Sequence, residues 1–132
     1  MTILVTGATG FVGSAVARKL LTAGETVRVL ARAGSNRRNI EGLDVDVCIG
    51  DLTQPETLAP AVTGCSAVFH VAADYRLWTR HPEEMMQTNI EGSKALIDAA
   101  LDAGVDRIVY TSSVAALGIN KDETPAVETT PS

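Results

Sequence analysis

The chain carries only two cysteines and two histidines in 132 residues, and nowhere does it hold the run of about 18 to 20 apolar residues that a membrane span requires. The first strand-like run begins at Thr2 with no charged leader before it, so a soluble cytoplasmic protein is expected. Cys48 and Cys65 lack Cys-x-x-Cys spacing and have no clustered histidines to complete a metal site, so no metal is expected and both read as buried small hydrophobes. Positive charge is also scarce. Eleven Lys and Arg against sixteen Asp and Glu leave a net charge of −5. That balance argues against a nucleic-acid partner or an anionic membrane surface, and any anion must be met by a local site.

What is present is the composition of an ordinary folded domain, 45% apolar and 20% charged. At 13.8 kDa, area scaling gives roughly 20,000 Å² for the unfolded chain and roughly 6,600 Å² for the folded one, enough burial for one core without staples.

Apolar periodicity divides the chain into alternating strands and helices. Thr2 to Thr6 is short, β-branched and stopped by Gly7, as suits a buried strand of a parallel sheet. From Val12 the apolar residues Val16, Ala17, Leu20 and Leu21 repeat with a helical period that Gly24 ends. Thr26 to Ala31 and Val45 to Ile49 read as the second and third strands. Thr53-Gln54-Pro55-Glu56 has capping-box spacing and predicts a short helix to about Val62. A fourth strand is expected over Ala67 to Val71, one long helix from about Pro82 to Ala103, and a fifth strand over Val105 to Thr111. Strands alternating with helices imply an open α/β sheet, doubly wound and parallel, with five strands in the order 3-2-1-4-5. Ile119 to Ser132 is polar and reads as loop.

Gly7-Ala8-Thr9-Gly10-Phe11-Val12-Gly13 places glycines at spacing three and three between a strand and a helix. Gly7 suits a tight turn, Gly10 a close backbone approach to a pyrophosphate, and Gly13 close packing of helix on strand, while the helix N-terminus offers free N–H donors. Thr6 and Thr9 either bond local backbone or touch a cofactor. At the end of the second strand, where an acid would accept from a ribose 2′-hydroxyl, stands Arg32. Arg28, Arg32, Arg37 and Arg38 occupy a window with no acid between Glu25 and Glu41. Such a cluster fits a 2′-phosphate, which favours NADP over NAD; the alternative is a solvated basic loop. Arg32 is the leading candidate, and Arg28 reads as an outward strand residue.

Residues Thr6 to Gly13 resemble the fingerprint of the extended short-chain dehydrogenase/reductase superfamily, the NAD-dependent epimerase/dehydratase group, and further segments match in order. Gly50-Asp51-Leu52 resembles its third-strand motif, which implies that Asp51 meets adenine and Leu52 packs on it. His70-Val71-Ala72-Ala73 resembles the fourth-strand motif that lines the cofactor. Thr88 to Ser93 resembles the segment whose Asn, here Asn89, supports the sheet and its cofactor end. Tyr110-Thr111-Ser112-Ser113 resembles the end of the fifth strand, which implies a catalytic role for Ser113. His70 to Trp78 and Arg37 to Leu43 look most like hopanoid-associated sugar epimerases and dihydroflavonol reductases. The resemblance implies a Rossmann-type dinucleotide-binding domain over residues 1–118, with 119–132 a polar loop or tail, and covers only the first part of that family's length.

Other readings of these residues stay open. Asp51 also suits a cap on the following helix, Asn89 a satisfied buried amide, His70 a packed, hydrogen-bonded residue, and Met85 and Met86 helix packing. Tyr75 and Trp78 lie in a loop over the expected pocket. The family's acid/base is the Tyr of a Tyr-x-x-x-Lys pair, but four residues after Tyr75 and Tyr110 stand Thr79 and Val114. Ser132 therefore reads as a truncation point, with the pair and the substrate domain expected beyond it. The function implied is to bind NAD(P) in an epimerase or reductase that transfers hydride to or from a small sugar-type or carbonyl substrate, without turnover by these residues alone. The alternatives are a non-catalytic NADP sensor and a dihydroflavonol-type carbonyl reductase. The helix over residues 82–103 resembles one that pairs subunits, which implies a homodimer.

Overall fold

The computed structural model describes residues 1–74 and 78–132. Five strands, β1 (Thr2–Thr6), β2 (Thr26–Ala31), β3 (Val45–Ile49), β4 (Cys65–His70) and β5 (Arg107–Tyr110), form one sheet in the order β3-β2-β1-β4-β5. Every neighbouring pair is parallel, so the expected topology is the observed one. β4 begins two residues earlier than the apolar pattern indicated, at Cys65, because β1 reaches Cys65 through a register shift between Thr2 and Ile3.

The helices α1 (Phe11–Thr22), α2 (Leu58–Val62) and α4 (Gly92–Asp102) pack on the sheet, whereas α3 (Pro82–Met86) buries no residue. Because alternate strand residues point to opposite faces, Leu4 joins a core with Leu58, Val62, Val68, Leu96 and Ala100 on the side of α2 and α4. Its neighbour Val5 joins Ala8, Ala17, Val27, Val29 and Ile40 on the side of α1. A continuous apolar strand at the centre of the sheet thus feeds two cores, each fully buried large side chain contributing about 1.5–3 kcal/mol of transfer free energy. The exposed surface, 8766 Å², exceeds the compact expectation. Part of the excess lies along β5 and after it, where Val109, Tyr110, Val114 and Ile119 stand exposed.

Four local expectations are corrected. The capping box at Thr53 is not made: its hydroxyl and N–H both donate to Asp51 Oδ1, at 2.8 and 2.9 Å, and a 3₁₀ turn over Pro55–Thr57 leads into α2. The long helix is not uniform either, since a π turn over Gln87–Glu91 separates α3 from α4. Cys65 is buried as expected, but Cys48, on the edge strand β3, is only half-buried, and Met86 is exposed rather than packed. Burial pushes the Cys65 thiol pKa up, which keeps it protonated.

Arg28 is not the outward strand residue expected: its side chain is 21% exposed and runs from β2 toward the end of α2. Its Nε donates to Asp46 Oδ2 of β3 at 2.8 Å, directly across the ladder. Its Nη1 donates to the carbonyls of Ala61 and Thr63 at 3.0 and 2.8 Å, satisfying acceptors at the end of α2 where a cation is favoured by the helix dipole.

A buried polar network ties the sheet together beside its carboxyl edge. Thr6 Oγ1 accepts from the backbone N–H groups of Val71 and Ala72, both at 3.2 Å, which fills its two lone pairs. Its hydroxyl proton then goes to His70 Nδ1 at 2.7 Å. That assigns the proton of the neutral ring to Nε2, which donates to Ser93 Oγ of α4 at 2.8 Å. His70 is therefore a packed, hydrogen-bonded residue. Burial holds its pKa below the ordinary value of 6.5. The unfolded chain takes up a proton near 6.5 while the folded one does not, so unfolding free energy should fall as pH drops from 6.5 toward the lower folded value. Urea denaturation at a series of pH values should show this slope, and His70→Gln should reduce it; an unchanged slope would remove His70 as its source.

Candidate functional site

Because all five strands run in one direction, the residues that follow them gather on one edge of the sheet: Gly7, Arg32, Gly50, Val71 and Thr111. Nearly all the sequence-predicted site residues lie on these five connections, the arrangement in which open α/β sheets bind ligands.

The glycine turn follows β1. Gly7 has φ +72°, and a Cβ there would lie 2.7 Å from the Ala72 nitrogen. The turn closes through Gly10 N–H donating to the Gly7 carbonyl at 2.9 Å. A Cβ at Gly13 would sit 2.1 Å from the Gly7 carbonyl oxygen, so only glycine lets α1 rest on the end of β1. Gly10 precedes α1 without offering a side-chain cap, and the first turn of α1 holds no acid. The first intrahelical bond is Ser14 N–H to Gly10 O at 3.2 Å. The N–H groups of Phe11, Val12 and Gly13 consequently have no helical acceptor, and with the helix dipole they favour an anion such as a phosphate. The side chains of Phe11 and Val12 stand exposed beside them.

After β3, Asp51 does serve as the local bracket: its Oδ1 takes both Thr53 donors, and its own N–H donates to Thr57 Oγ1 at 2.9 Å. Its Oδ2 has no partner among the described residues. Leu52 is buried in the core, and a Cβ at Gly92 of α4 would come within 2.9 Å of Leu52 Cβ. The side chain of Leu52 is thus held against α4 and is only 8% exposed.

After β4, Val71 and Ala72 are half-buried and Ala73 is exposed, the first two fixed by Thr6 as described. Asn89, in the π turn, clamps the next residue from both sides: its Oδ1 accepts from Asp74 N–H and its Nδ2 donates to Asp74 O, each at 2.7 Å. The amide is satisfied and structural, and what it supports is the backbone over the carboxyl edge. Trp78 is 73% exposed, and Tyr75 lies outside the described residues. After β5, Thr111 N–H donates to His70 O at 3.0 Å. Thr111, Ser112 and Ser113 are exposed, and Ser113 Oγ accepts from Ala115 N–H at 3.2 Å.

Arg32 follows β2. Its carbonyl accepts from Ser35, but its guanidinium and those of Arg37 and Arg38 are exposed and have no partner among the described residues. Arg28 is excluded from this group by its place across the ladder from Asp46. Asn39, which the sequence reading passed over, joins the arginine loop to the glycine turn by donating to Thr9 O at 2.8 Å. A cleft of about 470 Å³ lies beside β3, lined by Arg37, Arg38, Ile40, Leu43, Val45 and Val47 among others. It contains neither the glycine turn nor Asp51, so its shape does not mark the anion site.

Residues 3–132 match the family model of the NAD dependent epimerase/dehydratase family. The chain is 44% identical over 118 residues to a Synechocystis protein provisionally named a dihydroflavonol 4-reductase, covering 89% of this chain and 34% of that protein. The crystal structure of gox2253 superposes with a TM-score of 0.93 at 56% identity, covering 100% of this chain and 40% of that one. A short-chain dehydrogenase/reductase superfamily protein from Agrobacterium tumefaciens, solved with bound NAD, gives a TM-score of 0.74 at 37% identity over 86% of this chain and 33% of its own. The chain thus spans about a third to two fifths of the length of these relatives.

The steric role of Gly13 predicts that Gly13→Ala, by driving a methyl group into the Gly7 carbonyl, weakens dinucleotide binding by at least tenfold, about 1.4 kcal/mol or more. Calorimetric titration with NAD and NADP checks it, and unchanged affinity for both would mean that the turn has room to relax.

Proposed function

The chain belongs to the NAD-dependent epimerase/dehydratase family, and from that premise we propose that it binds a nicotinamide dinucleotide, NADP in preference to NAD, for an epimerase or reductase of the extended short-chain type. The observation that carries this reading is the uncapped N-terminus of α1 above the glycine turn, on the sheet edge where Arg32, without a guanidinium partner among the described residues, follows β2.

In this reading the free N–H groups of Phe11, Val12 and Gly13 take the pyrophosphate, Arg32 and Arg37 take the 2′-phosphate, and Asp51 with Leu52 meets adenine. Thr9, Val71, Ala72, Ala73, Thr111 and Ser112 line the cofactor, with Asn89 holding the edge in shape. The bound cofactor supplies hydride chemistry at C4 of its nicotinamide ring. Ser113 donates a hydrogen bond to the oxygen of the reacting carbon and orients it; its hydroxyl proton is free to do so because the present bond to Ala115 uses only an acceptor lone pair. The proton that accompanies hydride is handled by the Tyr of a Tyr-x-x-x-Lys pair, which these 132 residues do not contain.

The substrate class is a sugar-type or carbonyl compound, with hopanoid-associated sugar epimerases as the closer pattern. The dihydroflavonol-type carbonyl reductase reading draws support from the Synechocystis relative. A cytoplasmic setting stays part of this reading; no helix among the described residues is long and apolar enough to cross a membrane.

NADP should bind more tightly than NAD by roughly tenfold or more, the scale of one or two charge-assisted hydrogen bonds. Arg32→Asp should erase or reverse that ratio in calorimetric titrations. Equal affinities before and after the substitution would dismiss Arg32 as the 2′-phosphate ligand. Met86, Ile90 and Leu101 are exposed along α3, the π turn and α4, which supports a homodimer through residues 82–103. Sedimentation equilibrium should find dimers that Met86→Lys with Leu101→Lys dissociates; monomer throughout would dismiss that contact.

A further inference from the structure

Between β2 and β3 runs a crossover whose only helical piece is the 3₁₀ turn Arg38–Ile40. Its arginine-bearing part has no strand partner, yet Asn39 fastens it at two points. Asn39 Nδ2 donates to Thr9 O at 2.8 Å, and Asn39 O accepts from Arg18 Nη2 of α1 at 2.7 Å. Just beyond, Ile40 is buried in the core on the α1 side, so the fastened residue stands between a buried anchor and the exposed Arg37 and Arg38.

The acceptor is as informative as the donor. Thr9 O belongs to the peptide that joins Thr9 to Gly10, and the N–H of that same peptide closes the glycine turn on Gly7 O at 2.9 Å. Asn39 therefore grips the peptide plane that immediately precedes the free N–H groups of α1. One side chain links the part of the chain that would meet a pyrophosphate to the part that would meet a phosphate on the adenosine ribose.

We infer that Asn39 is a positioning residue for cofactor selection: it couples the arginine loop to the glycine turn, so that Arg37 and its neighbours are held within reach of a ribose 2′-phosphate. This inference rests on the NADP reading of the site. Without the tether the loop must be ordered at the moment of binding, and that entropy is drawn from the affinity for the phosphorylated cofactor. NAD offers the loop no phosphate and loses less.

Two measurements on the chain separate this role from a general structural one. In calorimetric titrations Asn39→Leu, which removes the donor without adding charge, should weaken NADP binding by roughly five- to tenfold, the scale of one net hydrogen bond. NAD affinity should change less than about twofold. Equal losses for both cofactors would mean that Asn39 only supports the fold. In hydrogen exchange, saturating NAD should protect residues 7–13 and 35–41 of the wild type, whereas in Asn39→Leu it should protect residues 7–13 alone. Protection of both segments in the variant overturns the coupling. A wild type that binds NAD and NADP equally would refute the cofactor preference instead, and the exchange experiment with NAD would still decide whether Asn39 couples the two segments.

Discussion

Where α1 meets the end of β1 the two backbones are in contact, with room for a hydrogen atom but not a methyl group between residue 13 and the Gly7 carbonyl. That approach sets the height of α1 above the sheet and aims its uncapped N-terminus along the carboxyl edge. The left-handed turn at Gly7, lying against the Ala72 backbone, settles how closely the ends of β1 and β4 approach. Two missing side chains thus place an anion-binding helix end beside the strand ends from which the remaining contacts come.

Polar side chains then hold the edge in shape. Thr6, His70 and Ser93 lock the backbone at residues 71 and 72, and Asn89 clamps Asp74. Thr57 and Thr53 bracket Asp51, while Asn39 joins the arginine loop to the turn. No buried side-chain polar atom among the described residues is left without a partner. This is the condition under which such networks rigidify a site rather than weaken it. The arrangement also explains how an acidic chain can present a cationic spot. Asp46 engages Arg28 and keeps it at the far side of the sheet, whereas Arg32, Arg37 and Arg38 have no carboxylate paired with them among the described residues.

The topology was legible because short, largely apolar strand runs alternate with segments of helical period, and because the spacing of Gly7, Gly10 and Gly13 has a steric meaning at each position. The details that escaped depend on competition between near neighbours or on partners distant in the chain. Thr53 and Glu56 have the spacing of a capping box, but Asp51 competes for the threonine and wins. Asn39 carries no local pattern, since its partners Thr9 and Arg18 lie on the preceding unit. The apolar content of residues 82–103 reads as one helix, and the extra residue accommodated in the turn after α3 leaves no compositional trace. Met86 reads as core by its neighbours and is exposed because nothing within the described residues covers that face.

The π turn at Gln87–Glu91 has a consequence for the helix around it. Successive residues of an α-helix are separated by about 100° around the axis, and a π turn accommodates one residue more than an α turn. Ser93, Leu96 and Ala100 face the sheet on one side of it while Asn89 reaches back to Asp74 on the other. Losing a single residue from the segment would rotate one half against the other by roughly that angle. Either the seryl hydroxyl would leave His70 or the amide would leave the loop after β4. The segment is accordingly intolerant of changes in length, even where it tolerates changes in side chain.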